Sequence, residues 1–347
     1  MTALRPEAGG ASATGTGGDG NHLRVRRSGP AAWIGGAVLV LAVGVLAFLP
    51  YLASRGTQID LVGLFTLVVL GTMWNLLAGY GGMVSIGQQA WIGVGGYGLV
   101  YLAQTVGIDP FIAIPIAGLV CGLLAWPTSY LAFRLSGGYF AIGTWVIAEV
   151  VRLIVTQFDV VGAGSGASLT AFSGIEPVFR IAYVYWVALA IAVVVVLGVY
   201  LLMRSRLGLA LTAIRDEPTA AASAGVEVTR AKRLVFVLAA VGCGLAGAVI
   251  VANTLRVQPG SIFSVDYSAT MIFIVVIGGL GTIEGPIVGA VVYYLLQNSL
   301  ADLGNWYLVI VGAVAIAITL LAPKGLWGLT RDRLSVFPTG YRVSRPG

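Results

Sequence analysis

Charged side chains are scarce in this chain. Only 10% of its 347 residues are Asp, Glu, Lys or Arg, whereas an ordinary soluble domain has roughly 25%. Hydrophobic residues make up 58% of the chain. This balance excludes an ordinary soluble domain and indicates a membrane protein. Because a lipid-exposed backbone must satisfy its hydrogen bonds within its own segment, the composition predicts membrane-spanning helices.

Cysteine and histidine are equally scarce. Cys121 and Cys243 lie within apolar stretches, and the one histidine, His22, lies in a tail rich in glycine, alanine and threonine. This placement favours small packing residues over a disulfide, and no Cys/His cluster has the spacing of metal ligands. We therefore predict no metal site and no cofactor.

Motifs of catalysis are missing as well. The chain has no G-x-x-x-x-G-K-[ST] phosphate loop and no H-E-x-x-H. The stretch GVGGYG at 93–98 fits G-x-G-x-x-G, but it lies in an apolar segment, where small residues let helices pack closely in lipid. Acid–base catalysis would need paired carboxylates or a histidine in a pocket. The sequence thus predicts a protein that is not an enzyme.

Apolar runs long enough to cross the hydrocarbon core as helices recur along the chain. They predict an all-α, polytopic integral membrane protein with about ten transmembrane helices, within a range of about eight to eleven. The first run follows the basic stretch LRVRR, but it is too long for the core of a cleaved signal peptide. The expected spans are 31–53, 61–79, 87–105, 110–133, 138–157, 181–203, 233–252, 264–281, 284–302 and 305–322.

Basic residues concentrate in the N-terminal tail, in the loop 204–233 and in the C-terminal tail. An even number of spans puts all three on one side, which the positive-inside rule makes the cytoplasm. The sequence therefore predicts a disordered cytoplasmic tail over 1–30, a transmembrane domain over 31–322 and a cytoplasmic tail over 323–347. The net charge of +6 is explained by topology, so no nucleic-acid partner is predicted.

The stretch GYGGMVSIGQQA at 79–90 interrupts two apolar runs without a single charge. A second stretch, GGLGTIEG at 278–285, shares the pattern G-G-[LM]-x-[ST]-I with it. Two interpretations stay open: chance similarity among glycine-rich sequences, or an internal duplication with a glycine-broken helix in each half. In transporters, paired interruptions indicate the substrate route. As a hypothesis, the pathway is assigned to Ser85, Gln88, Gln89 and Thr282.

Two further patterns lie within the apolar runs. The G-x-x-x-G spacing of Gly281, Gly285 and Gly289 predicts one smooth helix face for tight packing. Glu149 and Arg152 are three residues apart and share a helical face. Because charge within a membrane is costly, a structural pair or snorkelling to the interface is favoured, and a role in the pathway is the alternative.

The loop 204–233 has the chemistry of a short helix. Pro218 follows two acidic residues, which suits a first helical turn, and Gly225 suits a helix end. We expect a helix over about 217–224. Its alanines offer a surface that can enter a groove on another protein, with Ala221 on the side that faces the groove. A plain connecting helix is the alternative.

Four segments follow one another along residues 60–325: LLAGYGGMVSIGQQAWIGVGGYG, RLSGGYFAIGTWVIAEVVRLI, AIRDEPTAAASAGVEVTRAKRLVF and MIFIVVIGGLGTIEGPIVGA. Together they resemble the hallmark regions of LivM-like permease subunits of branched-chain amino acid ABC transporters. The resemblance implies an inner-membrane permease that moves branched-chain or other hydrophobic amino acids inward. It also implies four kinds of partner: a second, LivH-like permease subunit, two cytoplasmic ABC ATPase subunits, an extracytoplasmic substrate-binding protein and membrane lipid.

In such permeases a helix with an E-A-A-x-x-x-G-like motif couples to the ATPase. The matching residues are Thr219, Ala220, Ala221 and Gly225, with Thr in place of the usual Glu and Glu217 two residues earlier. This departure puts the register of docking in doubt. The alternatives to an amino-acid permease are a urea or short-amide ABC importer permease and, less favoured, a stand-alone secondary transporter, a channel or a membrane scaffold.

Overall fold

The structure, a computed structural model, is almost entirely helical, which confirms the all-α prediction. Most of the two predicted tails, 1–30 and 323–347, lies outside the residues that it describes. Two short antiparallel pairs of strands join β1 to β4 and β2 to β3. The described residues are 24–26, 30–300, 306–322, 324–330 and 342–344.

Helices and strands follow the apolar runs of the sequence. The described residues form α1 (Pro30–Phe48), α2 (Arg55–Asn75), α3 (Gln89–Val100), α4 (Pro110–Ala132), α5 (Gly138–Val155), α6 (Pro177–Arg204), α7 (Arg206–Asp216), α8 (Pro218–Ser223), α9 (Val228–Thr254), α10 (Pro259–Ile262), α11 (Asp266–Gly278), α12 (Glu284–Ser299), α13 (Trp306–Leu321) and α14 (Gly325–Thr330). The strands are β1 (Arg24–Arg26), β2 (Ala167–Ser168), β3 (Arg256–Val257) and β4 (Arg342–Ser344). Single π-helical turns extend α2 over Leu76–Tyr80 and α3 over Tyr101–Thr105.

Among the described residues, seven helical segments are long and apolar enough to cross a membrane. The predicted spans 31–53, 87–105 and 284–302 correspond to shorter helices. One of these, α12, has 16 residues, and at about 1.5 Å per residue it falls short of a hydrocarbon core about 30 Å thick. The glycine-rich interruptions take up chain that would otherwise lengthen α3 and α12. The segments are Arg55–Tyr80, Pro110–Ala132, Gly138–Val155, Pro177–Arg204, Val228–Thr254, Pro259–Gly278 and Val309–Leu329.

The helix α9 lies at the centre of the packing, against α2, α3 and α4. Its contact with α3 is made backbone to backbone: a Cβ atom on Gly247 would lie 1.9 Å from the carbonyl oxygen of Ile92, and one on Gly95 would lie 2.0 Å from that of Gly244. The sulfur of Cys121 on α4 would be 2.5 Å from a Cβ atom on Gly244. The G-x-G-x-x-G match is therefore a helix contact, and Cys121 is a packing residue.

Candidate functional site

The stretch 81–88, called the first break below, separates the end of the π turn after α2 from the start of α3. Its second residue, Gly82, has a left-handed backbone, with a φ of +65°. Backbone groups that no helix pairs must find other partners when buried. Here the Trp74 indole donates to the carbonyl of Ser85 at 2.9 Å, and the hydroxyl of Ser268 donates to that of Ile86 at 3.0 Å. The N–H of Ile86 donates to the hydroxyl of Thr144 at 3.2 Å. Side chains of α2, α5 and α11 thus hold the break in place.

Three of the predicted pathway residues lie in or next to the first break and are buried. Ser85 is fully buried, with 0% exposure, and its hydroxyl accepts from the Gln88 amide at 3.2 Å. The Gln88 oxygen accepts a weak bond from the thiol of Cys243 at 3.6 Å. The Gln89 oxygen accepts from the hydroxyl of Ser268 at 2.5 Å. In this conformation the polar groups of all three residues are hydrogen-bonded within the protein. A solute can reach them only if the break moves.

The stretch 279–283, called the second break, separates α11 from α12 and repeats the chemistry of the first. Its first glycine, Gly279, also has a positive φ, of +132°. The hydroxyl of Thr282, at the position matching Ser85, donates to the carbonyl of Gly279 at 2.8 Å and accepts from the N–H of Gly285 at 3.0 Å. In the first break the Ser85 hydroxyl likewise accepts a backbone N–H, that of Gly87, at 3.3 Å. The two stretches therefore share a positive φ at the second glycine of the pattern and a hydroxyl that accepts a backbone N–H, two residues on in the first break and three residues on in the second.

The three glycines at G-x-x-x-G spacing do not all lie on one helix face. On α12, a Cβ atom on Gly285 would lie 2.3 Å from the Gly279 carbonyl oxygen, and one on Gly289 would lie 1.9 Å from that of Ile274. These two glycines let α12 approach α11. Gly281 precedes α12 and has a φ of +73°. It is outside the expected face because the chain at that point is still in the second break.

The second break is held against the end of α2 by Asn75, the last residue of α2 before its π turn. The Asn75 amide donates to the carbonyl of Thr282 at 2.7 Å, and its oxygen accepts from the N–H of Gly281 at 2.8 Å. A Cβ atom on Gly79 would lie 2.7 Å from the nitrogen of Gly281. One buried side chain thus pairs with one N–H and one carbonyl of the second break, and glycine at 79 allows the contact. A buried polar residue in the apolar run TMWNLLA was the signal that could have identified Asn75 from the sequence.

Arg215, at the end of α7, joins this meeting point to the loop 204–233. Its guanidinium donates to the carbonyl of Gly79 at 3.1 Å and to the Asp216 carboxylate at 3.0 and 3.1 Å. A Cβ atom on Gly281 would lie 3.2 Å from the same guanidinium. A single cation therefore touches the backbone of α2's π turn and lies against the second break. It is followed within three residues by the start of α8.

The predicted helix in the loop is present as α8. Glu217 caps it: its carboxylate accepts from the Thr219 hydroxyl at 2.6 Å and from the Thr219 N–H at 3.4 Å. Gly225, with a φ of +86°, follows its end. Ala220 is exposed, but Ala221 is 3% exposed and packs against the chain itself. The expectation that Ala221 faces a partner is therefore wrong, because its side chain is buried within this subunit.

Glu149 and Arg152 form an ion pair on α5. The Arg152 Nε donates to both carboxylate oxygens of Glu149, at 2.9 and 3.0 Å, and a second guanidinium nitrogen also contacts the carboxylate. The two side chains stay 49% and 30% exposed, respectively. Large apolar side chains on the same helix are exposed too: Tyr139, Ile142, Trp145, Val146, Val150, Leu153 and Ile154.

These features define a polytopic, all-α membrane protein with two glycine-containing breaks, the second of which meets the end of α2 at a buried polar junction. The model of a family described as "Branched-chain amino acid transport system / permease component" matches residues 59–319. The chain belongs to this family, and the resemblance to LivM-like permeases is confirmed.

Relatives in the family are branched-chain amino acid permeases, and more distant ones are sugar permeases. The chain is 28% identical over 327 residues to the high-affinity branched-chain amino acid transport system permease protein LivM of Escherichia coli, which covers 86% of this chain and 76% of LivM. It is 25% identical over 277 residues to a probable LivH permease of Methanocaldococcus jannaschii, covering 71% of this chain and 84% of the relative. The ribose import permease RbsC of Haemophilus influenzae is 25% identical over 227 residues, 62% of this chain and 69% of RbsC. A comparison with solved structures found no match.

Proposed function

We propose that this chain is the transmembrane permease subunit of an ABC importer, moving branched-chain or other hydrophobic amino acids inward. The observation that carries the proposal is the bond from Arg215 to the carbonyl of Gly79, which ties the loop with α8 to the π turn that leads into the first break. The same guanidinium lies against Gly281 of the second break. Relatives named as branched-chain amino acid permeases support the solute class. The chain itself is not an enzyme in this proposal, since ATP is hydrolysed by partner subunits.

The topology proposed here has about ten membrane crossings, with both termini and the loop 204–233 in the cytoplasm. The permease is placed in the cytoplasmic membrane of a bacterium. The concentration of Arg and Lys in the two tails and in this loop supports the orientation. The helices α3 and α12 cross together with the breaks that precede them, and α1 crosses as the first helix.

In the proposed mechanism α8 is the coupling helix, docked in a groove of the ATPase through Thr219 and Ala220. When ATP binding and hydrolysis move α8, the short link to Arg215 transmits the movement to Gly79 and to the second break. The ATPases thereby favour one of two conformations of the permease. In one, the bonds described above hold each break against its neighbouring helices, and in the other these bonds are released.

Release of these bonds would expose the proposed pathway residues Ser85, Gln88, Gln89 and Thr282. Their hydroxyl and amide groups are uncharged and can exchange their hydrogen bonds within the protein for bonds to a passing zwitterion. Neutral groups suit this role, because a fixed charge in the membrane interior costs roughly 3 kcal/mol or more. In the closed conformation Asn75 would hold the second break against the end of α2.

A second, LivH-like permease would cover the exposed face of α5 that carries Glu149 and Arg152. Ionisable residues within membranes face protein or a water-filled cavity rather than lipid. An ion pair that stays partly exposed on a membrane helix therefore supports a protein neighbour on that side. The other face of the subunit would contact membrane lipid.

Reconstitution tests the proposal. The chain, its partner permease, both ATPases and the binding protein are assembled in liposomes, and uptake of radiolabelled leucine is measured with and without ATP. We expect uptake that requires ATP, the ATPases and the binding protein, and that valine and isoleucine inhibit. Competition by urea or acetamide alone would instead identify a short-amide importer. Uptake that persists without the ATPases would reveal a stand-alone transporter or channel and overturn the proposal.

A further inference from the structure

A cavity of about 510 Å³ lies beside the first break. Its walls are the break at Gly82–Val84, the turn between α4 and α5, and the first turns of α9. This volume is within the range of small-molecule sites, roughly 300–1,000 Å³. A Cβ atom on Gly82 would lie 3.5 Å from the Cα atom of Arg215. The cavity therefore shares a wall with the connection between α8 and the breaks.

One part of the cavity wall is apolar and aromatic. Met83 and Phe140 are buried, and Phe133 lies next to Phe140 with a distance of 6.1 Å between ring centroids. Val84, on the opposite side of the break's backbone from Ser85, is 51% exposed. These side chains fit an aliphatic group, whose transfer from water stabilises binding by roughly 25 cal/mol per Å² of apolar surface.

The other part of the wall carries one positive charge, that of Lys232. No Asp or Glu lines the cavity, and within the described part of the chain Lys232 has no carboxylate partner. An unpaired ammonium that is only partly exposed can bind an anionic group, because a charge-assisted bond offsets its partial desolvation. Since Lys232 is the one cation among the described residues of the wall, the site suits a carboxylate better than a group with two negative charges.

The break also supplies acceptors for a cation. Across the residues that the structure describes, no hydrogen bond is made to the carbonyl oxygens of Gly82, Met83 or Val84. The carbonyl of the next residue, Ser85, is by contrast satisfied by the Trp74 indole. Each carbonyl has two lone pairs, so this short run of backbone can accept the three N–H bonds of an ammonium group.

We propose that this cavity binds a hydrophobic α-amino acid as a zwitterion. Lys232 binds the carboxylate, the carbonyls of Gly82–Val84 bind the ammonium, and the side chain lies against Phe133 and Phe140. The proposal rests on the proposed function and adds to it a solute site on the side of the loop 204–233, where the solute leaves the permease. A phospholipid headgroup would use Lys232 but would leave the carbonyl acceptors without a donor unless it also carried an amine.

The position of the cavity on α5 supports an exit site. Gly138 and Ala141 line it, and at helical spacing they share one stripe with Trp145, Glu149 and Arg152. The partly exposed ion pair and the cavity are therefore at opposite ends of a single helical stripe. A solute that follows this stripe meets charged groups at both ends and a largely apolar, uncharged surface between them.

A cysteine at the wall tests the site in the full transporter. The native Cys121 and Cys243 are fully buried, so Val84→Cys introduces an accessible thiol into this chain. In proteoliposomes a neutral, membrane-impermeant thiol reagent is added on the side of the ATPases, and the mass of this chain reports labelling. We expect millimolar leucine to slow labelling at least about threefold. Ser136→Cys, at another point of the wall, serves as a second reporter should Val84→Cys fail to assemble.

Three controls distinguish an amino-acid site in the cavity from a nonspecific effect of leucine and from a site for phosphate or lipid. Leucine should leave labelling of Arg230→Cys unchanged, because this residue lies outside the cavity and its side chain is 82% exposed. Combining the reporter with Lys232→Met should raise the half-protecting leucine concentration about tenfold or more, since a charged hydrogen bond is lost, while Lys232→Arg should retain protection. Inorganic phosphate should not protect, and protection should be the same in liposomes with and without anionic lipid.

The outcomes are distinguishable from those of the proposed function. If the unmodified complex shows ATP-dependent uptake but leucine protects neither reporter, the cavity proposal is wrong and the permease proposal stands. Protection by phosphate, or protection seen only in anionic lipid, would make the cavity a site for a phosphate group and would also overturn the proposal. Absence of ATP-dependent uptake by the unmodified complex would overturn the proposed function itself.

Discussion

At the scale of residues, the most consequential side chain is the buried Asn75. Its amide replaces the helix partners that Gly281 and Thr282 lose at the second break. We expect Asn75→Ala to destabilise the protein by about 2 kcal/mol or more, because both backbone groups would stay buried without a partner. The midpoint of thermal unfolding in detergent, measured at a fixed scan rate, should fall by about 4 °C or more.

Thr72→Val is the matched control, one turn away on the same helix. Thr72 is as buried as Asn75, but its hydroxyl makes no hydrogen bond within the described residues. Removing an unsatisfied hydroxyl without changing the shape should be neutral or stabilising. If the two substitutions lowered the midpoint equally, the loss would come from packing at this end of α2, and the bridging role of Asn75 would be wrong.

Sequence reasoning at this scale identified the polar residues of the breaks but not their arrangement. Ser85, Gln88, Gln89 and Thr282 stood out because polar groups are rare in such apolar runs. The bonds of Gln88 to Cys243 and of Gln89 to Ser268 join residues 155 and 179 positions apart, which the local sequence does not indicate. Their role in the solute pathway stays a prediction.

At the scale of elements, the contact of α11 with α12 depends on glycine. A Cβ atom on Gly289 would lie 1.9 Å from the Ile274 carbonyl oxygen, so Gly289→Ala must push the helices apart. Overpacking of this kind costs about 1–3 kcal/mol. The thermal midpoint should fall, and the second break should become more accessible to hydrogen exchange.

Gly312→Ala provides the comparison, since Gly312 lies in α13 and no atom of the described residues would be within 4 Å of a Cβ there. Alanine there should leave the midpoint unchanged or raise it slightly, because alanine favours helix. Equal losses at the two positions would contradict the assigned contact and point to a general need for glycine in these helices.

The short helix α8 gives a second prediction about an element. Ala220 is exposed, and in the proposed mechanism it faces the ATPase. Ala220→Glu should therefore abolish co-purification of the ATPases while leaving membrane insertion and the thermal midpoint unchanged. Ala221→Glu should instead destabilise the subunit, because a charge would be buried against its own chain.

Ala213→Glu, at an exposed position of α7, is the control for an added carboxylate in this loop. The ATPases should still co-purify with it. Retention of the ATPases by Ala220→Glu would mean that α8 docks through another surface or does not dock at all.

The elements themselves were largely predictable, and their lengths were not. Hydrophobic runs indicated each membrane helix, and Pro218 and Gly225 indicated the bounds of α8. The shortening of α12 was harder to foresee, because glycine tolerates both helix and turn. Contacts made after folding decide between them: Gly281 is in the break, whereas Gly285 belongs to the helix.

At the scale of the whole molecule, Arg215 links the loop 204–233 to both halves of the chain. We expect Arg215→Met to lower ATP-dependent leucine uptake at least about tenfold, while ATPase binding and ATP hydrolysis by the complex continue. The reason is that movement of α8 would no longer reach Gly79. The ratio of leucine transported to ATP hydrolysed in proteoliposomes measures this uncoupling.

Arg206→Met removes the same charge from the other end of α7, where the side chain is exposed and has no ion pair within the described residues. Its transport ratio should match that of the unmodified protein. If both variants lost coupling, the positive charge of the loop would be responsible, and the specific bond to Gly79 would not.

The bond between Ser268 and the carbonyl of Ile86 also sets an order of events during synthesis. The two residues are 182 positions apart. At a synthesis rate of roughly 5–20 residues per second, Ser268 is made roughly 10–40 s after the first break. During that interval a non-helical segment sits at the membrane with one of its carbonyls unprotected. Until α11 has been synthesised, the nascent chain is therefore open to proteolysis and to misinsertion.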